Sequence, residues 1–215
     1  MYAKFWKRFF DFTLSLLALI VLSPILLIQT VVGAIAMRGN PFFTQLRPGK
    51  KGKDGKEKIF RLIKFRTMSN KRDKDGNLLP DAERLNGYGR FLRKTSLDEL
   101  GELVNIVRGD MAIVGPRPLL VAYLPRYSAR QRRRHEVRPG LTGYAQAYGR
   151  NLLTWEEKFE KDVYYVDNLS FWLDVKIIFK TISVVLKREG ITSDTSVTME
   201  EFMGVEKEMK VINHE

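Results

Sequence analysis

The sequence predicts an α+β chain, mainly helical, headed by a long apolar segment. Three observations carry this. Phe9 to Met37 reads FFDFTLSLLALIVLSPILLIQTVVGAIAM, with Asp11 as its only charge. Two β-prone stretches, Phe42–Gln45 and Ile59–Met68, flank a polar, Gly-containing loop from Lys50 to Lys58, the pattern of a small strand pair. Beyond them apolar residues recur at helical spacing, as at Leu97, Leu100, Val104 and Val107. With 215 residues, 44% of them hydrophobic, the chain is long enough and apolar enough to bury a core.

Taken in order, the first element is the apolar run. As one helix it would extend roughly 43 Å at 1.5 Å per residue, against about 30 Å of hydrocarbon in a bilayer. A signal peptide has a shorter apolar region, about 7–15 residues, so the run is expected to be retained, although Gly33-Ala34-Ile35-Ala36 resembles a cleavage site. Two readings of a retained segment stand level. Hydropathy favours a single crossing. Ser23-Pro24 at its middle favours a helix that bends and returns to the face it entered, because proline removes a donor and clashes with the preceding turn. Basic residues flank both ends (Lys4, Lys7 and Arg8 before; Arg38, Arg47, Lys50, Lys51 and Lys53 after), so the positive-inside bias selects no crossing direction.

The strand pair is followed by a loop from Asn70 to Asp81. Helices are expected over Arg84–Leu92 and Leu97–Val107. Gly115-Pro116-Arg117-Pro118 interrupts the chain, a helix with a basic end is expected over Leu119–Arg134, and Arg138–Gly143 reads as a turn-rich loop. Trp155–Val166 and Phe171–Arg188 read as two more helices. The last carries Lys176, Lys180, Lys187 and Arg188 among apolar residues, so it either packs into a core or lies in a membrane interface. The expected organisation is an N-terminal membrane segment (1–38), one folded domain (39–190) and a polar tail (191–215).

Composition narrows the chemistry. No cysteine is present, which excludes thiolate metal sites, iron–sulfur clusters and a cysteine nucleophile. With His135 and His214 as the only imidazoles, any metal must be a hard ion held by oxygen. The 37 basic and 25 acidic residues leave a net charge of +12, which favours a polyanion: nucleic acid, an anionic membrane or a phosphorylated substrate. The stretch from Gly49 to Lys53 lacks the spacing of a P-loop. His135, beside three arginines, reads as structural or solvated.

The most informative run is Arg93 to Leu100 (RKTSLDEL), where Asp98 and Glu99 follow two cations at the start of a helix. A purely structural reading is a capping box, Ser96-x-x-Glu99. The chemical reading is that a carboxylate here ligates Mg²⁺ or attacks phosphorus as a nucleophile. Arg93, Arg117, Arg138 and Arg150 are the cations able to screen an anionic substrate, by the planar fork with which arginine grips phosphate.

In order along the chain, Ser23-Pro24 in an apolar helix, Lys64-Phe65-Arg66-Thr67-Met68, Ser96-Leu97-Asp98-Glu99-Leu100, Gly109-Asp110-Met111, Gly115-Pro116-Arg117-Pro118 and Arg138-Pro139-Gly140-Leu141-Thr142-Gly143 resemble the bacterial sugar transferase family. These are small monotopic phosphoglycosyl transferases acting on polyprenyl phosphates. The resemblance, closest to enzymes that start glycan assembly for protein glycosylation, reaches from the first residues to about Arg188. It implies a re-entrant membrane helix, broken at Ser23 and Pro24, beneath a cytosolic catalytic domain with amphipathic interface helices. It further implies transfer of a sugar 1-phosphate from a UDP-sugar to undecaprenyl phosphate, with Mg²⁺, at the cytoplasmic face of the bacterial inner membrane. By the same resemblance Asp98 matches the nucleophile and metal-bearing carboxylate, and Glu99 its partner. Lys64, Arg93, Arg117 and Asp174 match positions around the phosphates and the carboxylate pair, and Arg150 matches a nucleotide contact. Expected partners are the two substrates and anionic lipids, not nucleic acid. Nothing in these motifs selects a sugar or an oligomeric state. The rival readings are a membrane-tethered basic adaptor without catalysis, and a hydrolase of nucleotide sugars with the same layout.

Overall fold

The computed structural model describes residues 1–149, 153–187 and 201–204. The polar tail from Thr192 therefore lies almost wholly outside the described residues, as do Arg150 and Arg188.

A single π-helical turn, Tyr2–Trp6, leads into α1 (Lys7–Val21), and Leu22 separates it from α2 (Ser23–Met37). The two arms meet at a 65° bend. Its cause is local: Pro24 cannot donate to the Ile20 carbonyl one turn earlier, and the Ser23 hydroxyl donates to that carbonyl instead, at 2.7 Å. No single described helix is long and apolar enough to cross a membrane, although the bent pair together meets that test.

The sequence treats this run as uniformly apolar, and the structure corrects that. Each arm turns one stripe inward at i, i+4, i+8: Lys7, Asp11 and Ser15 on α1, then Gln29, Gly33 and Met37 on α2. The other sides expose Phe9, Leu14, Leu17, Ile20, Leu27, Ile28, Val31 and Ile35. This is an apolar surface, continuous over two helices, with polar groups beneath it.

The expected strand pair forms, the first strand running on past Gln45 to Lys51 and the second starting at Glu57 and ending at Phe65, short of Met68. β1 (Phe42–Lys51) runs antiparallel to β2 (Glu57–Phe65), from Phe42 opposite Phe65 to Lys51 opposite Glu57, with an irregularity after Pro48. The two ends of the basic loop are thus strand, leaving residues 52–56 as the turn, and Glu57, where the second strand starts, is held to the body by Arg132 at 2.8 Å. Next come α3 (Asp81–Arg84) and α4 (Gly87–Thr95), parted where the Asn86 side chain caps α4 by accepting from the Gly89 amide. A 3₁₀ turn, Leu97–Gly101, leads into α5 (Glu102–Arg108).

Two expectations between residues 112 and 143 fail. The helix expected over Leu119–Arg134 is instead two 3₁₀ segments, Val121–Arg126 and Gln131–Glu136. Pro125 removes a donor within the first, and Ser128 and Gln131 cap each other to restart the second. The loop expected over Arg138–Gly143 contains β4 (Gly140–Thr142), which pairs in parallel with β3 (Ala112–Val114). After α6 (Tyr144–Ala147), α7 (Trp155–Asp167) and α8 (Phe171–Lys187) match their expected spans closely.

The core has three centres. Phe60, Leu62, Leu103, Ile106 and Met111 pack under Ala18, Leu19 and Leu22 of the N-terminal arm. Val114, Ala147, Tyr165 and Ile177 join β3 to α6, α7 and α8. Tyr123, Tyr127, Phe159 and Phe202 form an aromatic cluster that takes in the segment 201–204.

Candidate active site

The carboxylate pair sits on the turn that follows α4. Ser96 ends that helix in the left-handed region (φ 57°, ψ 18°), so the chain reverses and starts a 3₁₀ turn carrying Asp98 and Glu99. The expected capping box is therefore absent: Ser96 makes no side-chain cap bond, and Glu99 is engaged elsewhere. Such a box forms at Thr154 with Glu157, and Ser128 and Gln131 exchange a similar reciprocal pair of bonds.

What engages Glu99 is delivered from two directions. The end of β2 is held by Asn105, whose side chain accepts from the Ile63 amide (3.0 Å) and donates to the Arg61 carbonyl (2.8 Å), standing in for a neighbouring strand. Close approach also needs Gly101, where a Cβ would come 2.8 Å from the Ile63 carbonyl oxygen. So placed, Lys64 Nζ lies 2.8 Å from Glu99 Oε1 and 2.9 Å from Glu102 Oε1. From the other side Arg117 Nη2 reaches Glu99 Oε1 at 2.7 Å. Prolines on both sides restrict the Arg117 backbone, and its carbonyl accepts from Arg134 Nη2 at 2.7 Å. Arg134 is itself buried against Asp162, at 2.7 and 3.0 Å.

The two adjacent carboxylates consequently differ in character. Burial raises the Glu99 pKa, but Arg117 and Lys64 outweigh it and hold the group down to about 2, a fixed anion. Burial and the neighbouring Glu99 charge push Asp98 the other way, above the ordinary aspartate value, against the pull of Lys64 and Arg117. Asp98 makes no ion pair among the described residues. One carboxylate is locked between cations; the other stands beside the same cations, unclaimed. A reactive carboxylate requires that second condition.

Of the residues expected here, Asp98, Glu99, Lys64 and Arg117 come together. Arg93 does not join them; it bonds the Thr67 hydroxyl and the Met68 sulfur, each at 3.1 Å. Nor does Arg138, which lines a shallow cavity with Lys50, Lys58, Phe60 and Asp110. Asp174 is a clear correction. It is buried beneath the N-terminal arm, where its Oδ2 accepts from Lys7 (2.7 Å) and Tyr2 (2.6 Å) and its Oδ1 from Tyr165 (2.7 Å). It holds α8 to α1 and touches neither carboxylate of the pair. His135, read from the sequence as structural or solvated, is not solvated: it is buried, and burial pushes its pKa down to about 3.

Sequence reasoning missed three members of the site. Glu102 is the third carboxylate, 3% exposed, and its spacing from Asp98 and Glu99 (i+4, i+3) was the signal that all three share a helical face. Arg47, half-buried with an unpartnered Nε, is close enough to Arg117 and Glu102 for its charge to sense both. Arg134 gave no signal, since its partner lies in another helix.

The site thus brings paired carboxylates between a lysine and a proline-framed arginine, the grouping that the resemblance to the bacterial sugar transferases implies. Residues 2–188 match the model of the family described as bacterial sugar transferase, and the chain belongs to that family. An uncharacterized sugar transferase of Bacillus subtilis is 51% identical over 198 residues, covering 92% of this chain and 96% of the relative. A UDP-galactose-lipid carrier transferase of Erwinia amylovora is 38% identical over 207 residues, covering 87% of this chain. A UDP-glucose:undecaprenyl-phosphate glucose-1-phosphate transferase of Klebsiella pneumoniae is 37% identical over 187 residues, covering 82% of this chain. The match spans 42% and 39% of the last two, which are longer proteins.

Proposed function

We propose that this enzyme moves a sugar 1-phosphate from a UDP-sugar to a polyprenyl phosphate, through a covalent intermediate on Asp98. The observation that carries the reading is the division of labour between Asp98, unclaimed, and Glu99, locked between Lys64 and Arg117. In the first step an Asp98 carboxylate oxygen attacks the sugar-bearing phosphorus. An O–P bond forms, the bridging P–O bond breaks, and UMP leaves with the electron pair. In the second, an oxygen of the lipid phosphate attacks the same phosphorus and the Asp98 carboxylate departs, leaving a polyprenyl diphosphate sugar. Arg117 and Lys64 supply fixed positive charge where negative charge gathers on the phosphoryl oxygens.

Among the described residues no group of three or more acidic, histidine or cysteine side chains converges as a metal cage. Magnesium does not require one, since it is commonly held by one or two carboxylates with substrate phosphates completing its shell. The unclaimed Asp98 fits that donor set, and a bound Mg²⁺ would neutralise charge on the diphosphate.

The bent pair supports a re-entrant placement at the cytoplasmic face of the bacterial inner membrane. Its outward sides are apolar, its backbone break is satisfied internally by Ser23, and a return to the face of entry would keep its basic flanks on one side. On α8, Trp172, Phe179 and Ile182 are exposed, as an interface helix requires. Such a site brings a lipid acceptor and a water-soluble donor to one carboxylate in turn. The product would be the first lipid-linked intermediate of a glycoconjugate.

The test is intact-protein mass spectrometry with UDP-galactose, UDP-glucose and UDP-N-acetylgalactosamine. A phospho-sugar adduct should form on the wild-type chain, be lost in Asp98→Asn, and discharge when undecaprenyl phosphate is added. Full turnover by Asp98→Asn would end the covalent reading. UMP release without acceptor, continuing past one equivalent, would favour a hydrolase.

A further inference from the structure

We propose that Gln29 is a positioning residue for Asp98, acting from the apolar helix α2 through the Leu97 carbonyl. The inference rests on the reading of Asp98 as the nucleophile. Gln29 is 6% exposed, on an arm whose outward face is hydrocarbon-like. An amide buried there costs free energy unless it is bonded, and half of this one is: Nε2 donates to the Leu97 carbonyl at 3.0 Å. That carbonyl belongs to the peptide group whose nitrogen is Asp98's own. Since the peptide is planar, fixing the Leu97 oxygen fixes the direction of the bond from which Asp98 starts.

Two further observations give this bond its importance. Ser96, the preceding residue, sits at positive φ without being glycine, a conformation that persists where the surroundings impose it. The contact from α2 is part of that imposition. The other half of the amide, Gln29 Oε1, is buried with no partner. A half-satisfied amide is a poor way to hold two helices together, and leucine would serve better if adhesion were its only task. Adhesion has its own devices close by. The Tyr88 hydroxyl donates to the Gln29 backbone carbonyl at 3.1 Å, Asn86 Nδ2 donates to the Ala36 carbonyl at 3.1 Å, and Gly33 admits the Tyr88 ring. Neither of these two hydrogen bonds involves Leu97. The pose of α2 is thereby coupled to the aim of the nucleophile.

The experiment compares Gln29→Leu, Gln29→Met and Tyr88→Phe in the full-length chain. It measures the rate of phospho-sugar adduct formation by quenched-flow mass spectrometry, the donor concentration for half-maximal rate, and the melting temperature. Both Gln29 variants should form the adduct at least about tenfold more slowly, because misplacing a reacting group by about 1 Å costs up to ~100-fold. Their half-saturating donor concentration should stay within about twofold of wild type. Tyr88→Phe, which loses a helix contact but not the Leu97 bond, should keep a near-normal rate. Adduct rates within about twofold of wild type in both Gln29 variants would overturn the proposal. So would an equal slowing in Tyr88→Phe, which would make the effect one of docking in general, and so would failure of both Gln29 variants to fold. A wild-type chain that forms no adduct with any of the three UDP-sugars would remove the nucleophile itself, and the proposal with it.

Discussion

Arg134→Met should lower the melting temperature by roughly 6–20 °C, and a second substitution should restore melting without restoring turnover. Arg134 is 3% exposed and Asp162 4%. Two bonds join them, at 2.7 and 3.0 Å, and the guanidinium lies over the rings of Tyr127 (5.9 Å) and Phe159 (5.6 Å). Removing one partner of such a pair strands the other charge, at a cost of about 3–5 kcal/mol. For a chain of this size each kcal/mol moves the midpoint by about 2–4 °C, hence the range. Replacing both residues, as Arg134→Met with Asp162→Leu, removes the stranded charge, and such exchanges are typically neutral or stabilising. Melting should return to within a few degrees of wild type. The Arg117 carbonyl, however, has lost its donor in both variants, and Arg117 holds Glu99. UMP release should stay about tenfold or more below wild type, the scale on which misplaced groups act. Thermal melting followed by fluorescence, paired with UMP release, reads both quantities. A double variant that regains full turnover would show that Arg134 serves the fold alone; one that stays unstable would refute the account of the ion pair.

Three more outcomes are expected. Arg117→Lys should lose most activity while melting normally, because a point charge cannot reproduce a planar fork; steady-state kinetics decides. Glu102→Gln should raise stability at neutral pH, since burial pushes the folded-state pKa of Glu102 up and the native state holds its proton beyond the pH at which the unfolded chain releases it. That penalty is present above the unfolded value of about 4.3, so the gain should vanish in acid, while Lys64 keeps Glu99 as partner. Glu99, depressed to about 2, has the opposite sign: its contribution is present above the unfolded value and fades as pH falls through about 2. Denaturant melts across pH check both signs. Finally, Ser23→Ala with Pro24→Leu restores the donor to the Ile20 carbonyl and should straighten the pair into a spanning helix. A thiol at Lys4→Cys, an exposed position in a chain without native cysteine, should then be labelled from outside only in that variant. Outside labelling with the native Ser23-Pro24 would mean a conventional crossing.

Much of this molecule was legible where the deciding physics is local. The strand pair, α5, α7 and α8 follow from spacing, and the helix break follows from Pro24. The legible part of the site was the pair Asp98 and Glu99 with Lys64 and Arg117. What stayed hidden depends on partners distant in the chain. Ser96-x-x-Glu99 satisfies the capping pattern, yet Lys64 and Arg117 outbid the cap amide for Glu99. Arg134 sits in a run of arginines that reads as the basic end of a helix, and only partners distant in the fold, Asp162, the Arg117 carbonyl and the Phe159 ring, make it a buried one. The parallel pairing of β3 with β4 joins two three-residue segments, too short for any periodicity to register. In the apolar run, Gln29 was invisible as a functional residue because hydropathy averages over a helix and has no term for one inward stripe.

The bond between Lys7 and Asp174 joins positions 167 residues apart, which bears on how the protein is made. A ribosome adds about 5–20 residues per second, so Lys7 emerges roughly 8–33 s before its counter-ion exists. Throughout that interval Lys7 has only Asp11, one turn on, to pair with, whereas Gln29 and Asp11 meet Leu97 and the Ile113 amide sooner; the arm's outer side is apolar from the start. Committing the arm to lipid early would strand an ammonium and an amide there. On the re-entrant placement proposed above, delivery to a membrane is therefore expected to be a late event, completed when α8 closes over Lys7, and a nascent chain stopped short of Asp174 should remain extractable by alkaline carbonate.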